Sequence, residues 1–178
     1  MKASVYIALS LDGYIARTDG GLDWLPGADG AELSGDEDFG YHQFMDTVDH
    51  LVMGRVSFEM VWSFGKWPYE KPATILSHSL KTLPPELPDS VELRNSSPVD
   101  LIEELKGRGR KKLYVDGGKT IQGFLSDGMI DELILTWVPV LIGEGIPLFG
   151  PTGRDLELKL LESRSYPNGF VQSRYEVL

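Results

Sequence analysis

Apolar and polar positions along this chain fall into short blocks whose period switches between two and about 3.6 residues. The stretch "SVYIALSLDGYIA" reads as a strand that enters an Asp-Gly turn and returns. "GGLDWLPG" is loop. In "SGDEDFGYHQFMDTV", Phe39, Phe44, Met45 and Val48 give an apolar face behind a Ser34 cap candidate and early acids, which predicts a helix. "DHLVM" predicts a buried strand and "GRVSFEMVW" a second helix. "PATILS" and "SVELRN" predict two more strands, the latter at an edge among prolines. Ser97-Pro98-Val99-Asp100 predicts a helix start, with Ser at the N-cap and Pro in the first turn, and Gly107 ends that helix. "KKLYVD" predicts a strand, "KTIQGFLSDG" a short helix ending near Gly128, and "IDELILTWVPVLI" a long strand. Two alternating strands about Asn168-Gly169 close the chain.

About eight strands and four helices result, alternating through the first two-thirds of the chain. That order predicts an α/β, three-layer domain. Its central mixed sheet is flanked by helices and ends in a C-terminal antiparallel hairpin. No repeat, low-complexity tract or linker divides the sequence, so one domain over residues 1–178 is expected.

Composition narrows the partners. Hydrophobic residues make up 42% and charged residues 25% of the 178, a globular balance. Lys and Arg total 17 against 27 Asp and Glu, a formal charge of −10. Nucleic acid and anionic membrane both need clustered cations, so neither is expected as a partner. The chain has no cysteine, which excludes disulfides, thiolate nucleophiles and iron–sulfur clusters. His42, His50 and His78 are its three histidines, widely spaced, and no metal site is expected. No apolar stretch approaches the roughly 18 residues of a membrane helix, and no signal peptide is read at the N-terminus. A cytoplasmic protein is expected.

The candidate chemistry begins at "LYVDGGKTIQGFL", Leu113–Leu125, a strand running into paired glycines, a cation and a helix. A triphosphate-binding G-x-x-x-x-G-K-[ST] loop would need glycine where Leu113 stands, and G-x-G-x-x-G does not fit Gly117, Gly118 and Gly123. What survives is the general device: glycines admit a close approach, and free helix N–H groups with their dipole attract an anion. A tight turn beside a solvated lysine explains the stretch alone equally well. "LVMGRVSFE", Leu51–Glu59, repeats the pattern of strand, glycine, cation, hydroxyl and helix. Two such junctions in one acidic domain point to two anchors on one extended anionic ligand, such as a dinucleotide. "ILSHSLK" adds hydroxyls and a cation at another strand end, where a ribose 2′-phosphate could be held.

These motifs resemble a known superfamily. "MGRVSFE" resembles the M-G-R-x-[ST]-[FWY]-E junction of dihydrofolate reductases, and "VDGGKTIQGFL" their later Gly-Gly junction. "SLDGYIA" followed by "GGLDW" resembles their first strand and mobile loop, and "VPVLIGEGIPLFG" resembles the C-terminal signature of the bacterial RibD reductase domain. The resemblance spans essentially the whole chain, as a stand-alone member of the RibD C-terminal domain family. It implies NADPH lying across a mixed sheet. Gly54, Arg55, Val56 and Ser57 would hold phosphate at one helix N-terminus, and Gly117, Gly118, Lys119 and Thr120 the pyrophosphate at the other. Ser77 and His78 would lie at the 2′-phosphate, and the main chain of Ala8 and Ile15 at the nicotinamide.

On the substrate side, the carboxylate that dihydrofolate reductases use falls by ungapped counting on Asp38, the catalytic candidate. The run Asp36-Glu37-Asp38 reads equally as a helix cap. Asp12 is a second acid, in a turn signal. Trp24, Tyr41, His42 and Phe58 are candidate pocket residues that fit core or rim as well. No counterpart of the folate-gripping Arg can be placed, which counts against folate. The resemblance implies an NADPH-dependent reductase acting on a C=N or C=O of a small pterin- or pyrimidine-like substrate, and a homodimer. The alternatives are a non-catalytic NADPH-binding protein and an NADPH-dependent flavin or quinone reductase.

Overall fold

The structure, a computed structural model, describes residues 1–26 and 37–178. Its strands are β1 (Lys2–Ser10), β2 (Tyr14–Ala16), β3 (His50–Gly54), β4 (Ala73–Leu76), β5 (Val91–Arg94), β6 (Lys112–Asp116), β7 (Glu132–Val138), β8 (Ile146–Pro147), β9 (Leu158–Ser165) and β10 (Val171–Val177). Its helices are α1 (Tyr41–Thr47), α2 (Arg55–Ser63), α3 (Pro98–Gly107) and α4 (Gly118–Ser126). Eight strands form one mixed sheet in the order β5-β4-β3-β6-β1-β7-β10-β9. From β5 to β7 neighbours are parallel, and β10 and β9 add the antiparallel end.

The central strands are apolar on both faces, as parallel strands covered by helices must be. Ala3, Val5, Leu9, Val52, Leu113 and Val115 pack against Leu101, Ile102 and Leu105 of α3 and Ile121, Phe124 and Leu125 of α4. Leu51, Met53, Ala73, Ile75 and Tyr114 face the other way, onto Phe44 of α1 and Phe58 of α2. The mixed sheet, four helices and terminal hairpin agree with the sequence reading. Ser97 caps α3 by accepting the Asp100 N–H, and α3 ends at Gly107.

Two local expectations are corrected. The return after the Asp-Gly turn does not pair with β1: β2 pairs antiparallel with β8, as a separate two-stranded ribbon. The first helix starts at Tyr41, because Phe39 and Gly40 both take positive φ (56° and 83°), which no helix continues through. Ser34, read as its cap, and Asp36 lie outside the described residues.

The N-terminal ends of the central strands are tied by charge. Glu132, fully buried, accepts from Ser4 Oγ (2.8 Å), Arg174 (2.6 and 2.8 Å) and Lys2 (3.2 Å), with Lys112 at 3.5 Å. Burial alone would raise its pKa, but these partners hold it at about 2. His50 at the start of β3 is buried, with Nε2 2.8 Å from Thr74 Oγ1. Burial, aided by Arg110, lowers its pKa to about 4. The folded chain therefore stays neutral at His50 where the unfolded chain binds a proton. Stability falls as pH drops from about 6.5 to about 4, by up to about 3 kcal/mol. Denaturant melts across that range check this, and His50→Gln should flatten the slope.

Candidate functional site

The crossover through α2 carries the chain from β3 to β4, on one side of β3. The crossover through α4 departs from β6, on the other side of β3, and passes over β1 to β7. The C-terminal ends of β3 and β6 are thus a topological switch point, where open α/β sheets bind ligands. Both strands end there in the glycine junctions that the sequence singles out. Gly54 is the N-cap of α2, and Gly117, with φ 91° and ψ 134°, is the N-cap of α4.

The junctions are packed against each other. A Cβ on Gly54 would sit 2.6 Å from Thr120 Oγ1, and one on Gly117 would collide with Ser57 Oγ. Each glycine therefore makes room for the hydroxyl of the other helix. Among the described residues no side chain caps α2 or α4, whereas α3 has its serine. Two helix N-termini with their first N–H groups left for an outside acceptor thus converge at one crevice. Gly118 is buried, and a Cβ there would be 3.0 Å from Ile15 Cδ1 and 3.4 Å from Pro147 O. The β2–β8 ribbon therefore lies against the start of α4.

Other cofactor candidates are distributed around this crevice. Arg55 turns along α2 to Glu59 (2.8 and 2.9 Å), Val56 is exposed, and Lys119 is exposed at the start of α4. Ser77 follows Leu76, the register partner of Gly54, so its loop opens at the same sheet edge. Its hydroxyl accepts from the Leu80 (2.9 Å) and Ser79 (3.2 Å) N–H groups, and His78 is exposed. Ala8 pairs with Thr136 inside the sheet and packs near Trp24 and Val138. Asp12 is a clamp: it accepts from Gly143 N–H (2.8 Å), Ile142 N–H (3.3 Å) and Ser10 Oγ (2.6 Å). These bonds fasten the β1–β2 turn to the loop before β8.

The substrate-side candidates separate. Asp38 accepts from the His42 and Gly40 N–H groups (2.8 Å each) and lies 2.6 Å from His42 Nδ1. These contacts, the His42 N–H first, pull its pKa down to about 2, so it stays ionised near neutral pH. His42 projects into solvent. Trp24 is buried with Val138, Tyr166 and Phe170, and Phe58 is buried between Trp62 and Trp67. Both are core. Tyr41 is half-buried, its ring 5.5 Å from Tyr6, and its pKa is raised first by burial and then by the charge of Asp116.

Asp116 is the residue that sequence reasoning leaves without a role. It ends β6, directly before Gly117, and its alternation with Tyr114 aims it at the α1–α2 face. Burial raises its pKa, against opposing hydrogen bonds from the Gly117 N–H and the Tyr114 hydroxyl (3.5 Å). Asp116, at the C-terminal end of a central strand, is thus shifted in the opposite direction from Asp38. The available signal was a lone acid closing the apolar run "LYV" just before two glycines.

The RibD C-terminal domain family matches residues 3–172. The YwjB protein of Bacillus subtilis strain 168 is 33% identical over 177 residues, covering 98% of this chain and 97% of that protein. YyaP of the same organism is 29% identical, with 95% and 91% covered. A solved structure from Shewanella sp. PV-4, of a protein named for riboflavin biosynthesis, superposes with TM-score 0.93 at 40% identity, covering 100% of this chain and 99% of that one. A Corynebacterium diphtheriae pyrimidine reductase-like protein shares the fold at 19% identity and TM-score 0.68, with 99% and 92% covered. So does a Thermotoga maritima deaminase/5-amino-6-(5-phosphoribosylamino)uracil reductase, at 15% and 0.70, with 99% of this chain and 56% of that longer one covered. No helix among the described residues is long and apolar enough to cross a membrane.

Proposed function

Since the chain belongs to the RibD C-terminal domain family, we propose that it is an NADPH-dependent reductase. Its substrate would be a small heterocycle with a polarised C=N or C=O, pterin- or pyrimidine-like. The observation that carries this reading is the crevice where α2 and α4, both glycine-capped and with no side-chain cap among the described residues, meet at the switch point. Such a pair of N-termini fits the phosphates of a dinucleotide. Arg55 and Lys119 add charge beside them, Ser57 and Thr120 hydroxyls, and Ser77 and His78 a site for the 2′-phosphate. The backbone of Ala8 and Ile15 would orient the nicotinamide. When bound, the cofactor supplies the hydride.

The chain's own contribution is a proton and a dry, oriented site. Asp116 is assigned the proton: it closes β6 directly before the Gly117 junction, burial pushes its pKa up, and protonating the substrate nitrogen or oxygen completes the reduction. Asp38 is assigned to the start of α1. A homodimer belongs to the same proposal, with the β9–β10 end of the sheet as its contact. Every residue of β9 is exposed, and Leu158, Leu160 and Val171 present apolar surface there.

The experiment is NADPH oxidation measured against a panel of oxidised pterins, pyrimidines and flavins, with Asp38→Asn beside the wild type. Turnover on a member of the panel is expected, with kcat/KM of Asp38→Asn within about threefold of wild type. Saturable NADPH binding without any turnover would favour the non-catalytic alternative. A large loss on Asp38→Asn would return the acid role to that residue.

A further inference from the structure

A cavity of about 280 Å³ lies between α1 and the antiparallel end of the sheet. Tyr6, Ile134 and Arg174 line it side by side, as register neighbours across β1, β7 and β10. Gly40, Gln43, Phe44 and Thr47 line it from α1 and its cap. It is separate from the crevice at Gly54 and Gly117. In the sheet order, β1 with its Tyr6 stands between β6, which ends in Asp116, and the β7–β10 side of the cavity.

At one end of this cavity a single carboxylate meets three cations. Glu132 Oε1 accepts from Arg174 (2.6 and 2.8 Å) and Lys2 (3.2 Å), and Oε2 from Ser4 (2.8 Å), with Lys112 at 3.5 Å. Glu132 is fully engaged, but its cations keep donors to spare. Among the described residues Arg174 Nη1 has no acceptor, and Lys112 Nζ has Glu132 and, 5.2 Å away, the ring of Phe44. Both reach the same carboxylate, so one further anion at that end can meet both. Glu162 stands opposite Arg174 across the β9–β10 ladder, and Arg164 lies 3.8 Å from Glu37. The lining thus holds three cations, Lys112, Arg164 and Arg174, against two carboxylates, in a chain of formal charge −10.

Much of the remaining wall is aromatic. Phe39 and Tyr166 meet at 4.7 Å, and Tyr6 and Phe44 at 5.0 Å. Phe39 takes φ 56°, a costly conformation for a bulky residue, with its ring at this wall. Gln172 pairs with Thr136, four residues along β7 from Glu132, so the lining runs about 13 Å by strand rise. An inorganic anion would meet the cations and leave the rings without contact. A neutral ring would leave the spare donors unmatched. A planar body with a carboxylate head satisfies both.

We propose that this cavity is a second ligand site, taking a small aromatic or heteroaromatic carboxylate with its head at Lys112 and Arg174 and its ring against Phe39, Phe44 and Tyr166. The site goes beyond the reductase reading and stands whatever the crevice binds. Naphthoate, its uncharged amide and acetate are titrated calorimetrically into the full chain. Naphthoate should bind saturably, at least about tenfold more tightly than the amide or acetate. Lys112→Gln should weaken it by about tenfold or more, while Glu132 keeps Lys2 and Arg174. Gln43→Glu, at an exposed position on α1 that leaves the ion cluster intact, should weaken it by about twofold or more through like charge. Saturating NADP⁺ should leave naphthoate affinity within about twofold. Absence of saturable naphthoate binding, equal binding of the amide or acetate, competition by NADP⁺, or unchanged affinity in either variant overturns the inference.

Discussion

Exchanging Asp116 for Asn lowers kcat/KM for NADPH-dependent turnover by about 10²–10⁴-fold, the usual contribution of a positioned general acid, while NADPH affinity stays within about threefold. The amide keeps the size of the carboxyl group and can still meet the Tyr114 hydroxyl, but it has no proton to give. The loss should fall mainly on kcat, because proton transfer is required in the transition state and not for binding. The pH profile supplies a second readout. Burial raises the Asp116 pKa, so the acid form persists above the ordinary carboxylate range and activity falls as pH climbs through the raised value. In Asp116→Asn that limb should vanish. Steady-state rates across pH for the two proteins decide the matter. An unchanged kcat, or an unchanged alkaline limb, removes Asp116 from the chemistry.

The second large effect is at Gly117, where φ is 91° and ψ is 134°. Alanine there takes on backbone strain of about 1–3 kcal/mol, and its Cβ pushes Ser57 away from the helix start. Denaturant unfolding should register the strain. NADPH titration should show binding weakened by at least about tenfold, because the added carbon parts the two N-termini that meet at the crevice. Alanine at Gly107, the end of α3, would meet nothing within 4 Å among the described residues, which makes it the matched control for both measurements.

How far the sequence carries can be judged residue by residue. The alternation of strands and helices was legible because "HLVM", "ATIL" and "LYV" are apolar on both faces, a pattern that only a helix-covered parallel sheet explains. Ser97 and Pro98 announced α3 because capping is local chemistry. The partner of β2 was not legible. An Asp-Gly turn says that the chain reverses, but the ribbon with β8 depends on a distant segment, where Gly145 lets the backbone approach Ala16 O. The start of α1 was misplaced because acids before a helix look like its first turn, and the positive φ at Phe39 and Gly40 leaves no clear mark in the sequence.

In the site, the glycine junctions were legible as motifs. Their mutual packing, through Ser57 against Gly117 and Thr120 against Gly54, came only with the sheet order that makes β3 and β6 neighbours. Asp116 was hidden for the same reason. At a strand end an acid looks like any polar residue leaving the sheet. Its half-buried place beside Tyr114 exists only after α1 and the loop after α2 have closed over that face.

The central claim is that the crevice between α2 and α4 holds NADPH, and titrating NADPH fluorescence tests it most directly. Wild-type protein is compared with Arg55→Ala and Lys119→Ala, the first at a half-exposed and the second at an exposed position, where folding should be unaffected. A dinucleotide cradle predicts saturable binding by the wild type and affinity weakened by about tenfold or more in each variant, the effect of removing one charged hydrogen-bond donor from a phosphate. Absence of saturable binding, or equal affinity in all three proteins, would contradict it.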